Sequence, residues 1–162
     1  MSATQVEISE VLGELNGLAP TGYALGFHIA YTAPKFMFQT YPKSWLDHYS
    51  QNGLLMNDPM VGWGFERTGA RRWSDLTDPA GVMKLAADHG MHFGVVIATD
   101  QGGGRSICGF ANADREFTDD EISELTEKVV CLHNSTAEQA QLSPETVQQL
   151  KKMSILVTHP GS

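Results

Sequence analysis

Basic residues are scarce in this chain: 11 Lys and Arg stand against 19 Asp and Glu, for a formal net charge of −8. A surface that grips nucleic-acid phosphates needs clustered Lys and Arg, and the one local pair, Arg71-Arg72, is offset by Glu66, Asp75 and Asp78. No direct nucleic-acid binding is expected. Cysteine is just as sparse, and Cys108 and Cys131 lie too far apart for a redox or zinc motif. Two reduced thiols suit a cytoplasmic protein, which is the expected location. No apolar run approaches the roughly 20 residues that span a bilayer. The opening M-S-A-T-Q-V-E-I-S-E lacks the basic start and apolar centre of a secretory signal.

Catalytic and cofactor signatures are missing too. No serine sits in a Gly-x-Ser-x-Gly elbow, and Cys108 has no base nearer than Arg105. Gly102, Gly103 and Gly104 precede a strand pattern with no Gly-Lys-Ser/Thr after them, so they read as a hairpin turn rather than a phosphate loop. His89 and His92 are three apart, but Gly90 ends the helix between them and no Cys or acidic ligand stands at matching spacing. Neither an enzyme, a cofactor nor a metal is expected.

What is present fits one globular domain of 162 residues. Ile8, Val11, Leu12, Leu15 and Leu18 predict an amphipathic helix over 4–18. Strands are predicted over 23–31 and 36–40, then a helix opened by Pro42 that carries Trp45, Leu46 and Tyr49. Asp58-Pro59 and Asp78-Pro79 each read as helix starts, with Asp as N-cap and Pro at the first helical position. Strands over 93–99 and 106–112 form a hairpin. Thr118-x-x-Glu121 is a capping box that opens a long helix to about Gln139, and Cys131 reads as a buried small hydrophobe within it. A short last helix is predicted from Ser143-Pro144 to Met153. Closely connected neighbouring strands pair antiparallel, which predicts an α+β fold. The expected form is an α-β-α sandwich around a central antiparallel sheet of about five strands.

The densest cluster of chemistry is Tyr41-x3-Trp45-x3-Tyr49-x8-Asp58-Pro59, followed by Trp73-Ser74. Trp45 and Tyr49 share one helix face, and each joins a large apolar body to one polar tip. Such residues can hold a small, mostly apolar ligand by its carbonyl groups. They also serve as ordinary core aromatics, and Asp58 is fully explained as an N-cap. Spacing alone leaves any ligand unnamed.

In these residues, and in H-G-M-H-F-G-V-V-I with Gly94 before a strand, the chain resembles the autoinducer-binding domain of LuxR-type quorum-sensing regulators. The resemblance extends through the glycine-rich hairpin, the strand 106–112 and the helix after Thr118. It implies a PAS/GAF-like sensor fold and a site for an N-acyl-homoserine lactone or similar signal, built from Tyr41, Trp45, Tyr49, Asp58, Pro59, Trp73, Gly94 and Gly109. By that resemblance Trp45 donates to the lactone carbonyl, Asp58 accepts the amide N–H and Tyr49 donates to the acyl carbonyl. Trp73 covers the lactone ring and Tyr41 lines the acyl channel. Where many relatives place a Ser or Thr near the acyl carbonyl this chain has Gly109, with Ser106 as the candidate substitute.

Residues 1–140 are expected to form the autoinducer-binding domain, and 141–162 a linker and the truncated opening of a helix-turn-helix-like segment. The leading expectation is a signal sensor without its own DNA reader. It would act as a homodimer, as a heterodimer with a LuxR-type regulator, or by sequestering signal. The apolar stripe Ile122, Leu125, Val129, Leu132 is the expected pairing surface. The alternative is a sensor-like domain whose pocket is filled by its own side chains and which acts only through protein contacts.

Overall fold

A computed structural model describes residues 3–30 and 34–137. The elements run α1 (Ala3–Leu18), β1 (Gly22–Phe27), β2 (Phe36–Gln39), α2 (Lys43–Gln51), α3 (Pro59–Glu66), β3 (Gly69–Arg72), α4 (Val82–Ala87), β4 (Phe93–Thr99), β5 (Ser106–Asn112) and α5 (Asp119–Ala137). Single 3-10 turns lie at Leu54–Asn57, Trp73–Asp75 and Gln101–Gly103. The five strands form one antiparallel sheet in the order β2-β1-β5-β4-β3. The α+β expectation holds. The helix predicted over 143–153 and the segment 141–162 lie outside the described residues.

Alternation along the strands gives the sheet two unlike faces. Tyr23, Leu25, Phe27, Phe36, Phe38, Val95, Ile97, Cys108 and Phe110 pack with Ile8, Leu12 and Leu15 of α1 and with Leu125, Val129 and Leu132 of α5. Each large side chain buried there stabilises the fold by about 1.5–3 kcal/mol. The α5 stripe is therefore consumed by the chain's own core, with Ile122 packed against the same cluster. It is not available as a pairing surface, because a stripe at helical spacing fits an intramolecular core as well as a partner. Cys131 also departs from expectation. It is half-buried at the α1–α5 seam, with its thiol 3.7 Å from Glu7 Oε1.

The caps explain the helix boundaries. In the capping box the Thr118 N–H donates to Glu121 Oε1 at 2.9 Å, and the Glu121 N–H donates to Thr118 Oγ1 at 3.1 Å. The α4 helix begins later than Asp78-Pro79 suggests. A turn closes from the Gly81 N–H to the Asp78 carbonyl, and the Asp78 carboxylate accepts the N–H groups of Val82 and Met83 at 2.9 and 2.8 Å. Asp78 thus caps from four residues ahead. Strand β3 was not expected: Gly69, Ala70 and Arg71 are exposed on the sheet edge, so it carries no alternating apolar pattern. Among the described residues no helix is long and apolar enough to cross a membrane.

Candidate functional site

The second face of the sheet is built from small residues. Ala24 and Gly26 of β1 and Gly109 of β5 form the floor of a trough, with Met37 and Gln39 of β2 on one side and Val96 of β4 on the other. Helices α2 and α3 roof it. Where α3 meets β5, Gly64 lies so close to Ile107 that a Cβ there would sit 2.6 Å from Ile107 Cγ2. The Arg105 guanidinium holds the end of α3, donating to the carbonyls of Gly64 and Arg67 at 2.7 and 2.9 Å. The result is a cavity of about 360 Å³, within the range of roughly 300–1,000 Å³ usual for small-molecule sites. Leu55, Met56 and Phe65 stand at its mouth, Met56 being 83% exposed.

Polar groups are concentrated at one end. Asp58 is the N-cap of α3, its Oδ1 accepting the Met60 N–H at 2.9 Å, with Pro59 at the first helical position. Its Oδ2 accepts the Tyr49 hydroxyl at 2.9 Å. Burial raises the Asp58 carboxyl above the ordinary range, although the bonds from Tyr49 and from the Met60 and Val61 N–H groups pull the other way. Burial also raises the Tyr49 phenol, reinforced by the neighbouring Asp58 charge. The Tyr41 hydroxyl is buried without a hydrogen-bond partner among the described residues. It lies over Gly109, where an added Cβ would come within 2.7 Å of it. The space left by the absent side chain at 109 is therefore filled by the Tyr41 hydroxyl and by Met60, whose Sδ would be 3.1 Å from that Cβ.

Trp45 is 4% exposed. Its ring is held between Tyr49, at 5.7 Å and edge-on, and the imidazoles of His48 and His89 at 6.0 and 5.5 Å. His89 is fixed in turn by a 2.9 Å hydrogen bond to Ser44 Oγ. His48 is half-buried, with Trp45 and His89 packed against its ring. No group of three potential metal ligands occurs among the described residues.

Of the eight residues singled out from sequence, the cavity lining contains Tyr41, Trp45, Tyr49, Asp58 and Gly109. Pro59 starts α3 beside Asp58. Trp73 and Gly94 meet each other instead, outside that lining. The indole lies against Gly94 so closely that a Cβ would be 2.2 Å from the ring. Trp73 and Trp45 share a buried cluster with Tyr41, Val82, Ala86, Met91 and Ala111. Ser106 does not reach the site. It faces α5, where its hydroxyl meets His133 Nδ1 at 2.7 Å. Ala24, Gly26, Met37 and Gln39 also line the cavity; the small-large alternation of Gly22-Tyr-Ala-Leu-Gly-Phe27 carried a signal for the first two, and none marked Met37 and Gln39.

A family model described as autoinducer binding domain matches residues 17–140. No curated protein matches the chain. Among solved structures, SdiA in complex with octanoyl-rac-glycerol superposes with a TM-score of 0.64 at 18% identity, over 89% of this chain and 64% of that one. The chain thus spans under two thirds of that relative's length. A crystal structure of Escherichia coli SdiA gives a TM-score of 0.61 at 17% identity, covering 94% of this chain and 85% of that one. CepR2 from Burkholderia cenocepacia, an N-acylhomoserine lactone dependent LuxR family transcription factor, gives 0.54 at 17%, covering 85% and 95%. At these identities the superpositions establish a shared fold.

Proposed function

Because the chain belongs to the autoinducer-binding domain family of LuxR-type regulators, whose members are ligand-binding sensors and not enzymes, we propose that it captures an N-acyl-homoserine lactone or a close acyl relative in the trough between the sheet and α2–α3. The carrying observation is a buried carboxylate, already oriented, beside a buried phenol hydroxyl with no partner at one end of an apolar cavity. An acyl-homoserine lactone offers one amide donor and two carbonyl acceptors, which such a set complements.

In this reading Asp58 accepts the amide N–H and the Trp45 indole N–H donates to the lactone carbonyl. Tyr41 donates to the acyl carbonyl, because its hydroxyl has no other partner while the Tyr49 hydroxyl is engaged by Asp58. Tyr49 then positions the carboxylate. Trp73 on Gly94 forms a wall behind the head group, and Ala24, Gly26, Met37 and Ile107 take the acyl chain. A cavity of about 360 Å³ that side chains leave open tells against the self-filled alternative. With the α5 stripe in the core, the proposal rests on ligand capture and not on pairing with a second chain.

Tryptophan fluorescence titrated with lactones of graded acyl length tests it. A saturable change is expected for at least one length. A flat response to every length, in protein shown by circular dichroism to be folded, rejects the reading.

A further inference from the structure

Outside the head-group cluster of Tyr41, Trp45, Tyr49 and Asp58, Gln39 is the one polar side chain among the described residues that line the cavity. The lining residues nearest to it on the sheet are apolar: Ala24, its cross-strand partner, and Met37, two residues before it on β2. Its carboxamide has no hydrogen-bond partner among the described residues, although it carries two donors and an acceptor and is half-buried. A carboxamide in an apolar wall lowers stability unless something bonds to it. A leucine or methionine would pack the same position without that penalty.

The sheet register says what Gln39 faces. Gln39, Ala24, Gly109 and Val96 stand opposite one another in a single row across four strands. The Tyr41 hydroxyl lies above Gly109 in that row. Strands are about 4.8 Å apart, so Gln39 stands two strands from Gly109, with Ala24 between them in the row. A ligand whose acyl carbonyl meets Tyr41 therefore runs its first chain carbons past Ala24 and beside the Gln39 carboxamide.

We infer that Gln39 reads an oxygen on the acyl chain close to the amide, so that the preferred ligand is a 3-oxo or 3-hydroxy acyl amide and not the unsubstituted one. The carboxamide N–H₂ donates to a 3-oxo group, or its oxygen accepts from a 3-hydroxyl. This deepens the proposed function and rests on it.

The test compares 3-oxo, 3-hydroxy and unsubstituted acyl-homoserine lactones of one chain length, titrated against the unmodified protein and against Gln39→Leu. The unmodified protein is expected to prefer one of the two oxygenated ligands by about threefold to tenfold, one neutral hydrogen bond. Gln39→Leu is expected to erase that preference while binding the unsubstituted lactone at least as well. Equal affinity of the unmodified protein for all three overturns the inference, even if Gln39→Leu fails to fold. A preference that survives Gln39→Leu overturns it too. Either outcome leaves lactone binding itself standing, whereas a protein that binds none of the three loses the proposed function and this inference together.

Discussion

The two faces of the sheet differ in what alternate residues of the same strands supply. On β1 the face toward α1 and α5 receives Tyr23, Leu25 and Phe27, and the face toward α2 and α3 receives Gly22, Ala24 and Gly26. On β5 Cys108 and Phe110 fill the first face, while Gly109 leaves the second open. One face is packed like a core and carries stability. The other keeps a cavity and places polar groups at one end of it. A strand can do both because its side chains point alternately to either side.

Truncation on the packed face should have the largest effect. Phe110→Ala leaves a cavity beside Tyr23, whose ring centroid is 6.2 Å away. It is expected to lower the unfolding free energy by about 3–5 kcal/mol in urea titrations. A loss below about 1 kcal/mol would mean that the packed face is looser than described.

Asp58 comes next, because it serves both the fold and the cavity. Asp58→Ala removes the α3 cap at about 1 kcal/mol of stability. In the proposed pose it also weakens lactone binding by about 1–3 kcal/mol, through the partner it leaves unpaired. Asp58→Asn keeps an acceptor oxygen and a cap, and should be milder in both assays. Equal effects of the two substitutions on binding would show that the carboxamide oxygen cannot stand in for the carboxylate.

A smaller effect is expected from pH. The Asp58 carboxyl is raised above its ordinary value of 3.8 by burial. A raised folded-state value means the contribution to stability is full below about 3.8 and declines as pH rises through the folded value. Binding through the amide N–H needs the carboxylate and should strengthen over the same rise. Asp58's contribution to the stability of the free protein, read as the difference from Asp58→Asn, and the affinity should therefore move in opposite directions from pH 4 upward. Parallel movement of the two would remove Asp58 from the binding step.

Much of this was legible in the sequence. Asp58-Pro59 and Thr118-x-x-Glu121 encode their caps locally, and the Trp45–Tyr49 spacing places both rings on one face of α2. Parity along β5 was available as well. Ser106 and Gly109 differ by an odd number and so face opposite sides, which is why Ser106 bonds to His133 and not into the cavity. Other features depend on tertiary contacts that no local pattern encodes. The α5 stripe could have met a partner or the chain's own sheet. Edge strand β3 takes its order from β4, and the packing of Trp73 onto Gly94 joins residues far apart in sequence.

Two tyrosines offer the most direct test. Tyr23 on the packed face and Tyr41 in the cavity both bury hydroxyls without a partner among the described residues, and burial pushes the Tyr23 phenol up to about 12. The decisive measurement is the shift in urea unfolding midpoint on adding a saturating acyl-homoserine lactone, for Tyr41→Phe against Tyr23→Phe. Neither substitution should destabilise the free protein. The ligand-induced shift should persist in Tyr23→Phe and shrink in Tyr41→Phe, by an affinity loss of about 1 kcal/mol. Equal shifts in both variants would contradict the claim that one face of this sheet is built for stability and the other for a ligand.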